Sequence, residues 1–480
     1  MLTGWKPLYD SRMLQENDRQ TETLEAASVH DFTTKREGFM RLKTNSNCLT
    51  ASAIALTVLL ATACGSETAN NETAPSVQEN EADRKPAEVV IYSNSGGTPE
   101  SFDLLYGTAL RAHFPHYTIK YIQSATGTKL PDMLASGTKF DIIFENTANY
   151  LAYMAEYDLG YDMTELIKKH QVDLNPIEPG MLEALTRSTG GKLYALPVYN
   201  NSLVLFYNKS IFNKFGIPLP KDGMLWEQLI ETAQKLTRVD GGTPYYGFTQ
   251  AASHTLRLNP LGLPVADLKA NAPTINTNEG WKKLIDTIYV QPSTSPVYQE
   301  FMTKNKRAPV YNEFLRAKNV AMLAYLAGFA GTLAVEPDLD WDMVALPVFK
   351  ERPKVGSQAS PVYFGITKQA NNKDAAMEVL KYLVSAEFQT GLARKGTMPV
   401  LRDPAVQQAY GLDTPYKDKH LQALFYNEYA PTPAKPMYDA DLTNLYADYA
   451  TQVQIGAMDM NTALRAAEEK ARSIIAESMK

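Results

Sequence analysis

From Glu88 onward the chain alternates between two kinds of block. Short apolar runs bounded by turn residues read as buried strands at Glu88–Tyr92, Thr118–Ile122, Asp141–Phe144, Lys192–Val198, Ser202–Tyr207 and Tyr363–Thr367. Between them lie helical patterns. Pro99-Glu100 opens one that runs to about Phe114 and stops near Pro115. Others cover Leu130–Ser136 and Asp374–Val384. The clearest begins at Trp226. Trp226, Leu229, Ile230, Ala233 and Leu236 recur on one helical face, with Glu227, Glu231 and Lys235 on the other. Tyr-rich segments over 416–455 predict further helix, and a last amphipathic helix runs from about Asn461 to the end. Strand, helix, strand, helix, strand over 88–144 predicts an α/β protein with a parallel sheet. No internal repeat is present.

The N-terminal part has a different pattern. Met40-Arg41-Leu42-Lys43 and a polar TNSN precede the apolar run CLTASAIALTVLLATA, followed by Cys64-Gly65. Basic residues, a run of about 14 apolar positions and then small residues describe a secretory signal. The run is short and Thr-rich for a membrane span, which takes about 20 residues. Leu60-Ala61-Thr62-Ala63 before Cys64 resembles the bacterial lipobox. That resemblance implies cleavage of 40–63, acylation of Cys64 and a lipid anchor. Residues 65–87 contain no aromatic side chain and one large aliphatic, Val77. They cannot bury enough to order themselves, so 64–87 reads as a flexible tether. An export signal normally begins a chain. Met40 therefore reads as the start, and 1–39, without periodicity, as a misplaced or disordered leader.

Composition narrows the function classes. Hydrophobic residues are 44% and charged residues 21%, an ordinary globular balance. Lys+Arg 47 against Asp+Glu 53 leaves a net charge of −6. No dense basic run appears, which argues against a nucleic-acid partner. Two cysteines, Cys48 inside the signal and Cys64 after it, are no disulfide framework. H-E-x-x-H, G-x-S-x-G, phosphate-loop and dinucleotide motifs are missing from the sequence. His113 and His116 bracket a helix-breaking Pro115 and read as packing or surface residues, so neither metal nor cofactor is expected. A carboxylate pair for glycoside hydrolysis needs no fixed spacing and stays open.

Candidate contact residues follow from the strands. In open α/β sheets, ligands sit outside the carboxyl ends of the strands. That selects Ser93, Asn94 and Ser95 after the first strand, and Glu145, Asn146 and Thr147 after the third. The same residue types also serve as turn and helix-cap groups. Tyr199, Asn200 and Asn201 lie between two extended runs, as ligand contacts or as a hinge turn.

Four stretches carry a family likeness. Leu196-Pro197, Leu203-Val-Leu-Phe-Tyr-Asn-Lys209, Phe215-Gly-Ile-Pro218 and Trp226-Glu-Gln-Leu229 form the first. Phe314–Met322, Val344-Ala-Leu-Pro347 and Ala375–Pro399 follow in order. Together they resemble the bacterial extracellular solute-binding proteins of ABC importers, in particular the maltose-binding-protein-like carbohydrate binders. The resemblance implies a two-lobe periplasmic-binding-protein-like α/β fold of type II, its lobes joined by crossover hinge strands. Lobe one would be 88–198 plus 347–398, and lobe two 199–346 plus 399–480.

The resemblance also places Tyr199 and Asn201 at the cleft floor, Phe329 at a stacking position and Tyr438 near the C-terminal cleft segment. The chain departs from maltose-like members, which stack sugars on Trp. Trp226, Trp281 and Trp341 fall outside the stacking segments. The implied function is a lipid-anchored receptor, not an enzyme. A monomer on the extracellular or periplasmic side of the membrane would deliver a sugar or oligosaccharide to importer permease subunits by hinge closure. A non-sugar solute (polyamine, phosphoester or iron) and an exported glycoside-active enzyme are the alternatives.

Overall fold

The computed structural model describes residues 85–336 and 338–479. The leader 1–39, the signal-like run 40–63, the Cys64 acylation site and nearly all of the tether lie outside the described residues.

The Val-Val-Ile-Tyr run buries completely and founds a five-stranded sheet. In spatial order its strands are Tyr117–Gln123, Ala87–Ser93, Ile142–Asn146, Pro361–Ile366 and Leu196–Asn200. The first three run parallel, as the alternation of strands and helices predicts. Pro361–Ile366 is inserted antiparallel between Ile142–Asn146 and Leu196–Asn200. Both faces are covered, which is why the strands read as continuous apolar runs rather than alternating ones. Phe144 and Phe364, directly opposite in register, stack at 4.5 Å. Gly365 in the same strand leaves no room for a side chain: a Cβ there would run into the Tyr194 carbonyl and the Tyr150 hydroxyl. The core of this first lobe also takes Val400, Leu401, Val406 and Ala409.

A second sheet carries the other lobe, in the order Trp341–Val344, Leu203–Asn208, Met322–Leu326 and Thr249–Gln250. Leu203–Asn208 is buried along its whole length and pairs antiparallel with both neighbours. One face packs on Phe212, Trp226, Trp281 and Tyr446, and the other, which carries Phe206 and Trp341, packs on Phe314 and Tyr410. The Trp226–Leu236 helix buries Trp226, Leu229, Ile230, Ala233 and Leu236, the face its periodicity predicts. The Lys209–Phe215 helix stops at Gly216, whose φ of 63° suits a residue without a Cβ.

Two helical readings need correction. The expected helix from Pro99 to Phe114 is α-helical over Pro99–Phe102 and Thr108–His113, with a π stretch at Asp103–Gly107 between them. Phe102, Tyr106 and Leu110 are its buried residues. Their spacing of four drifts around an α-helix of 3.6 residues per turn, and one wider turn returns the three rings and chains to the same face. The Tyr-rich stretch is helical only over Asp439–Gln454 and in a short 3₁₀ turn at Leu421–Phe425. Pro431, Pro433 and Pro436 hold the intervening chain extended. The final helix, Met460–Ser478, lies where expected.

Candidate functional site: a polar rim across the hinge

The chain passes between the sheets at three places: from Leu196–Asn200 directly into Leu203–Asn208, from Trp341–Val344 through Val355–Gln358 into Pro361–Ile366, and through Glu428–Ala430, which pairs with Val355–Gln358. One side chain ties these crossings together. Asn200, 2% exposed, accepts from Ser360 N at 2.8 Å and donates to Ser202 Oγ at 2.7 Å and Tyr429 Oη at 2.8 Å.

In the first lobe the strand ends converge on Glu145. Its carboxylate is buried and accepts from Ser93 Oγ at 3.0 Å, Asn94 N at 2.5 Å, Ser95 N at 3.1 Å and Ser95 Oγ. Burial pushes this carboxyl above its ordinary value, and the bonds from Ser95, Asn94 and Ser93 pull partly against that. Glu145 therefore shapes the 93–95 loop from beneath. The Asn94 amide oxygen accepts from Tyr92 Oη and Ser124 Oγ, both at 3.1 Å, and its nitrogen donates to Tyr153 Oη at 2.8 Å. The Ser95 residue is exposed. Asn146 caps the Thr147–Glu156 helix, its side chain accepting from Asn149 N at 3.1 Å.

The rim continues into the hinge. Asn146 and Tyr199 both face Val362, and Asn200 faces Pro361. Thr147 Oγ1 donates to the Pro361 carbonyl at 3.2 Å. Tyr199 is half-buried, with its ring 6.5 Å from that of Tyr106. Asn201 holds both lobes: its N–H donates to Ser360 O at 3.1 Å, and its side-chain oxygen accepts from Gly328 N at 2.9 Å. The structure thus brings Asn94, Ser95, Glu145, Asn146, Tyr199 and Asn201 into one band of strand ends and crossings.

Phe329 and Tyr438 stand apart from that band. Phe329 is 2% exposed and packs among Tyr325 at 4.7 Å, Tyr311 at 5.8 Å and Phe206 at 6.0 Å. Its ring fills the second lobe's core, in edge-on and tilted contact with these aromatic side chains. Tyr438 is buried in the core with Leu442 and Tyr446. His113 stacks on Tyr382 at 3.7 Å, a packing role. Among the described residues no group of three His, Cys, Asp or Glu is arranged to hold a metal.

Two further polar residues lie where the second sheet meets the rim. Thr249–Gln250 is parallel to Met322–Leu326, and the Ala252–Arg257 helix follows its carboxyl end. Gln250 Oε1 and His254 Nδ1 are buried and lack partners among the described residues. The His254 ring lies 5.4 Å from Tyr325. Burial, reinforced by the Arg257 charge, holds its pKa down at about 3, so the imidazole is neutral. Gln250 escapes a periodicity reading because a strand of two residues has no period, and His254 because the helix after it has only six residues.

These two sheets, linked by three crossings with polar strand ends at the junction, match known proteins. Residues 95–390 match the bacterial extracellular solute-binding protein family, and the chain belongs to that family. A sugar transporter from Rhizobium etli in an open conformation superposes with a TM-score of 0.66 at 19% identity, covering 80% of this chain and 99% of that one. An ABC substrate-binding protein from Listeria monocytogenes in complex with cycloalternan gives 0.62 at 18%, covering 82% and 100%. A cyclic α-maltosyl-1,6-maltose binding protein from Arthrobacter globiformis gives 0.63 at 17%, covering 81% and 99%. At these identities the likeness shows the fold, which is the two-lobe fold of the maltose-binding type. A protein of Brucella abortus (strain 2308) named for a binding role is 24% identical over 237 residues, 46% of this chain and 54% of its own length. The chain thus spans about half the length of the curated relatives it matches. Among the described residues no helix is long and apolar enough to cross a membrane.

Proposed function

We propose that this chain is a receptor anchored by a lipid on Cys64, which captures a sugar or oligosaccharide and presents it to the permease of an ABC importer. The observation that carries the reading is the rim. Its groups are amides, hydroxyls and aromatic rings, and its one carboxylate, Glu145, is spent on its own loop. Such a set suits a neutral polyol better than a polycation or a phosphoester. Asn94, Ser95, Asn146, Tyr199 and Asn201 are the proposed polar contacts, together with Gln250 and His254 at the carboxyl end of the second sheet's short strand. Phe329 and Tyr438 would join only if their packing opened. The bodies that close are about 88–198 with 347–409, since Val400, Leu401, Val406 and Ala409 pack in the first core, and 199–346 with 410–480. A solute touching both lobes interacts fully only with the closed state, and so shifts the population towards it.

The test is a thermal-shift screen over a carbohydrate panel, followed by small-angle scattering with each hit. Binding raises stability as RT ln(1 + [L]/Kd), and closure lowers the radius of gyration. A tight sugar ligand that leaves an open particle unchanged would defeat the closure reading. For the anchor, Cys64→Ser is expected to accumulate unprocessed precursor without lipid mass, and lipid labelling that persists in that variant would remove it.

A further inference from the structure

Glu145 holds the 93–95 loop, and its two carboxylate oxygens do different work. Oε1 accepts from Ser93 Oγ at 3.0 Å, Asn94 N at 2.5 Å and Ser95 N at 3.1 Å. Those three bonds fix the course of the loop. Oε2 accepts from the Ser95 hydroxyl. Ser93 is fully buried, and the Asn94 amide is engaged by Tyr92, Ser124 and Tyr153. Of the three loop residues, Ser95 alone is exposed. A serine hydroxyl has one proton to donate and two lone pairs to accept with. With its proton committed to Oε2, Ser95 offers only lone pairs to the rim.

The state of the carboxyl decides which way that hydroxyl points. A proton on Glu145 finds room at Oε2, because Oε1 already meets three donors. A neutral Glu145 then donates from Oε2 to Ser95 Oγ, and the Ser95 O–H turns outward. Glutamine reproduces this neutral form: its Oε1 keeps the three bonds, and its Nε2 donates to Ser95 Oγ. The groups facing the carboxyl are the phenols of Tyr92 on its own strand, Tyr121 on the neighbouring strand and Tyr153 on the Thr147–Glu156 helix, with Tyr363 paired beside Glu145 in the sheet. Burial raises all four phenols, so they stay neutral while Glu145 titrates. Among the described residues no Lys, Arg or His pairs with the carboxylate. Burial raises the carboxyl itself, and the Ser95 hydroxyl is the strongest group pulling it back.

We infer that Glu145 is a positioning residue for solute capture: its ionised form turns the exposed Ser95 hydroxyl into an acceptor, so that the rim takes an O–H donor from the solute. The inference rests on the receptor reading. The chain from solute O–H through Ser95 O–H to the carboxylate ends on a charge, and such bonds are stronger than neutral ones. Capture of a polyol hydroxyl is therefore tightest when Glu145 is ionised and weakens in acid. By linkage, binding releases a proton wherever Glu145 is partly protonated. A group that can only accept, such as the carboxylate of a sugar acid, meets lone pairs with a negative charge behind them and is turned away.

The experiment has two arms, both on the full chain. Without solute, the Glu145 carboxyl is followed by carbon-13 NMR from about pH 4 to about pH 8. Ser95→Ala is expected to raise its midpoint, because a donor to the charged form is lost. A midpoint that stays or falls overturns the inference whatever the solute. With solute, maltose and mannobiose are titrated calorimetrically into the wild type, Glu145→Gln, Ser95→Ala and the double variant over the same range. Wild-type affinity is expected to rise about tenfold with pH through the midpoint seen by NMR. Glu145→Gln and Ser95→Ala each flatten that profile, and Glu145→Gln adds no further loss to Ser95→Ala, since it acts through that hydroxyl. Ser95 is exposed, so its variant tests the inference even if Glu145→Gln does not fold. A flat or falling wild-type profile overturns the inference and leaves the receptor reading in place. So does a pH dependence that persists in either single variant, or a further loss in the double variant, which would make Glu145 a mere scaffold. If Ser95→Ala moves the midpoint but neither these sugars nor the wider panel binds, the receptor reading falls and takes the solute half of this inference with it.

Discussion

Asn200 uses its whole side-chain hydrogen-bonding reach on the crossings between lobes. Asn200→Ala strands the Ser360 N–H and frees Tyr429 Oη, at about 1–3 kcal/mol for each buried group left unpaired. A urea titration is expected to show a lower midpoint by that amount, and an unchanged midpoint would mean that water replaces the lost bonds. Glu145 makes a different prediction. Its folded pKa lies above the unfolded value, so its contribution to stability is full below about 4.5 and is lost as pH rises through the folded pKa. The stability of the wild type relative to Glu145→Gln should therefore fall with rising pH from about 4.5 upward. A rise over the same range would refute the burial argument. The sequence does locate the loop ends at 93–95 and 145–147, because strand ends are legible from apolar runs. It does not tell that Glu145 looks inward to its own loop, since a carboxylate at a strand end has the same pattern either way. Nor does it tell a core Phe329 from a stacking one, because both sit in the same small apolar segment.

The elements with a strong period are the ones the sequence describes best. The Trp226–Leu236 helix is an example, and its two faces make opposite predictions. Leu229 is fully buried and Glu231 is exposed. Leu229→Ala is expected to cost about 2–5 kcal/mol, whereas Glu231→Ala should stay within about 0.5 kcal/mol. Equal effects in thermal denaturation would show that the face is misassigned. Elements with a weak or mixed period are less legible. The π turn at Asp103–Gly107 is invisible to a scan at 3.6 residues per turn. The Tyr-rich stretch from 416 has enough apolar residues for a helix, but prolines at 431, 433 and 436 decide its conformation. Gln250 and His254 belong to a strand and a following helix, each too short to declare itself.

At the scale of the whole molecule, the second sheet is built from one continuous piece of chain, 203–344, and the first is not. Pro361–Ile366 fills the gap between Ile142–Asn146 and Leu196–Asn200, and the Thr147–Pro361 hydrogen bond alone joins residues 214 apart in sequence. A fragment ending near residue 350 has every other strand of the first sheet but lacks that one. Such a fragment is expected to show no cooperative urea transition, and a sharp transition in it would mean that the inserted strand is dispensable. Long-range pairing of this kind also makes folding slow, because loop closure must precede the contacts that reward it. For a chain that must be threaded through a membrane, as the proposed receptor must, slowness is useful. The leading segments cannot lock into a finished sheet while the stretch beyond residue 361 is still being made, so they stay loose enough to pass through a narrow pore. The inserted strand thereby sets when, as well as how, the molecule takes shape.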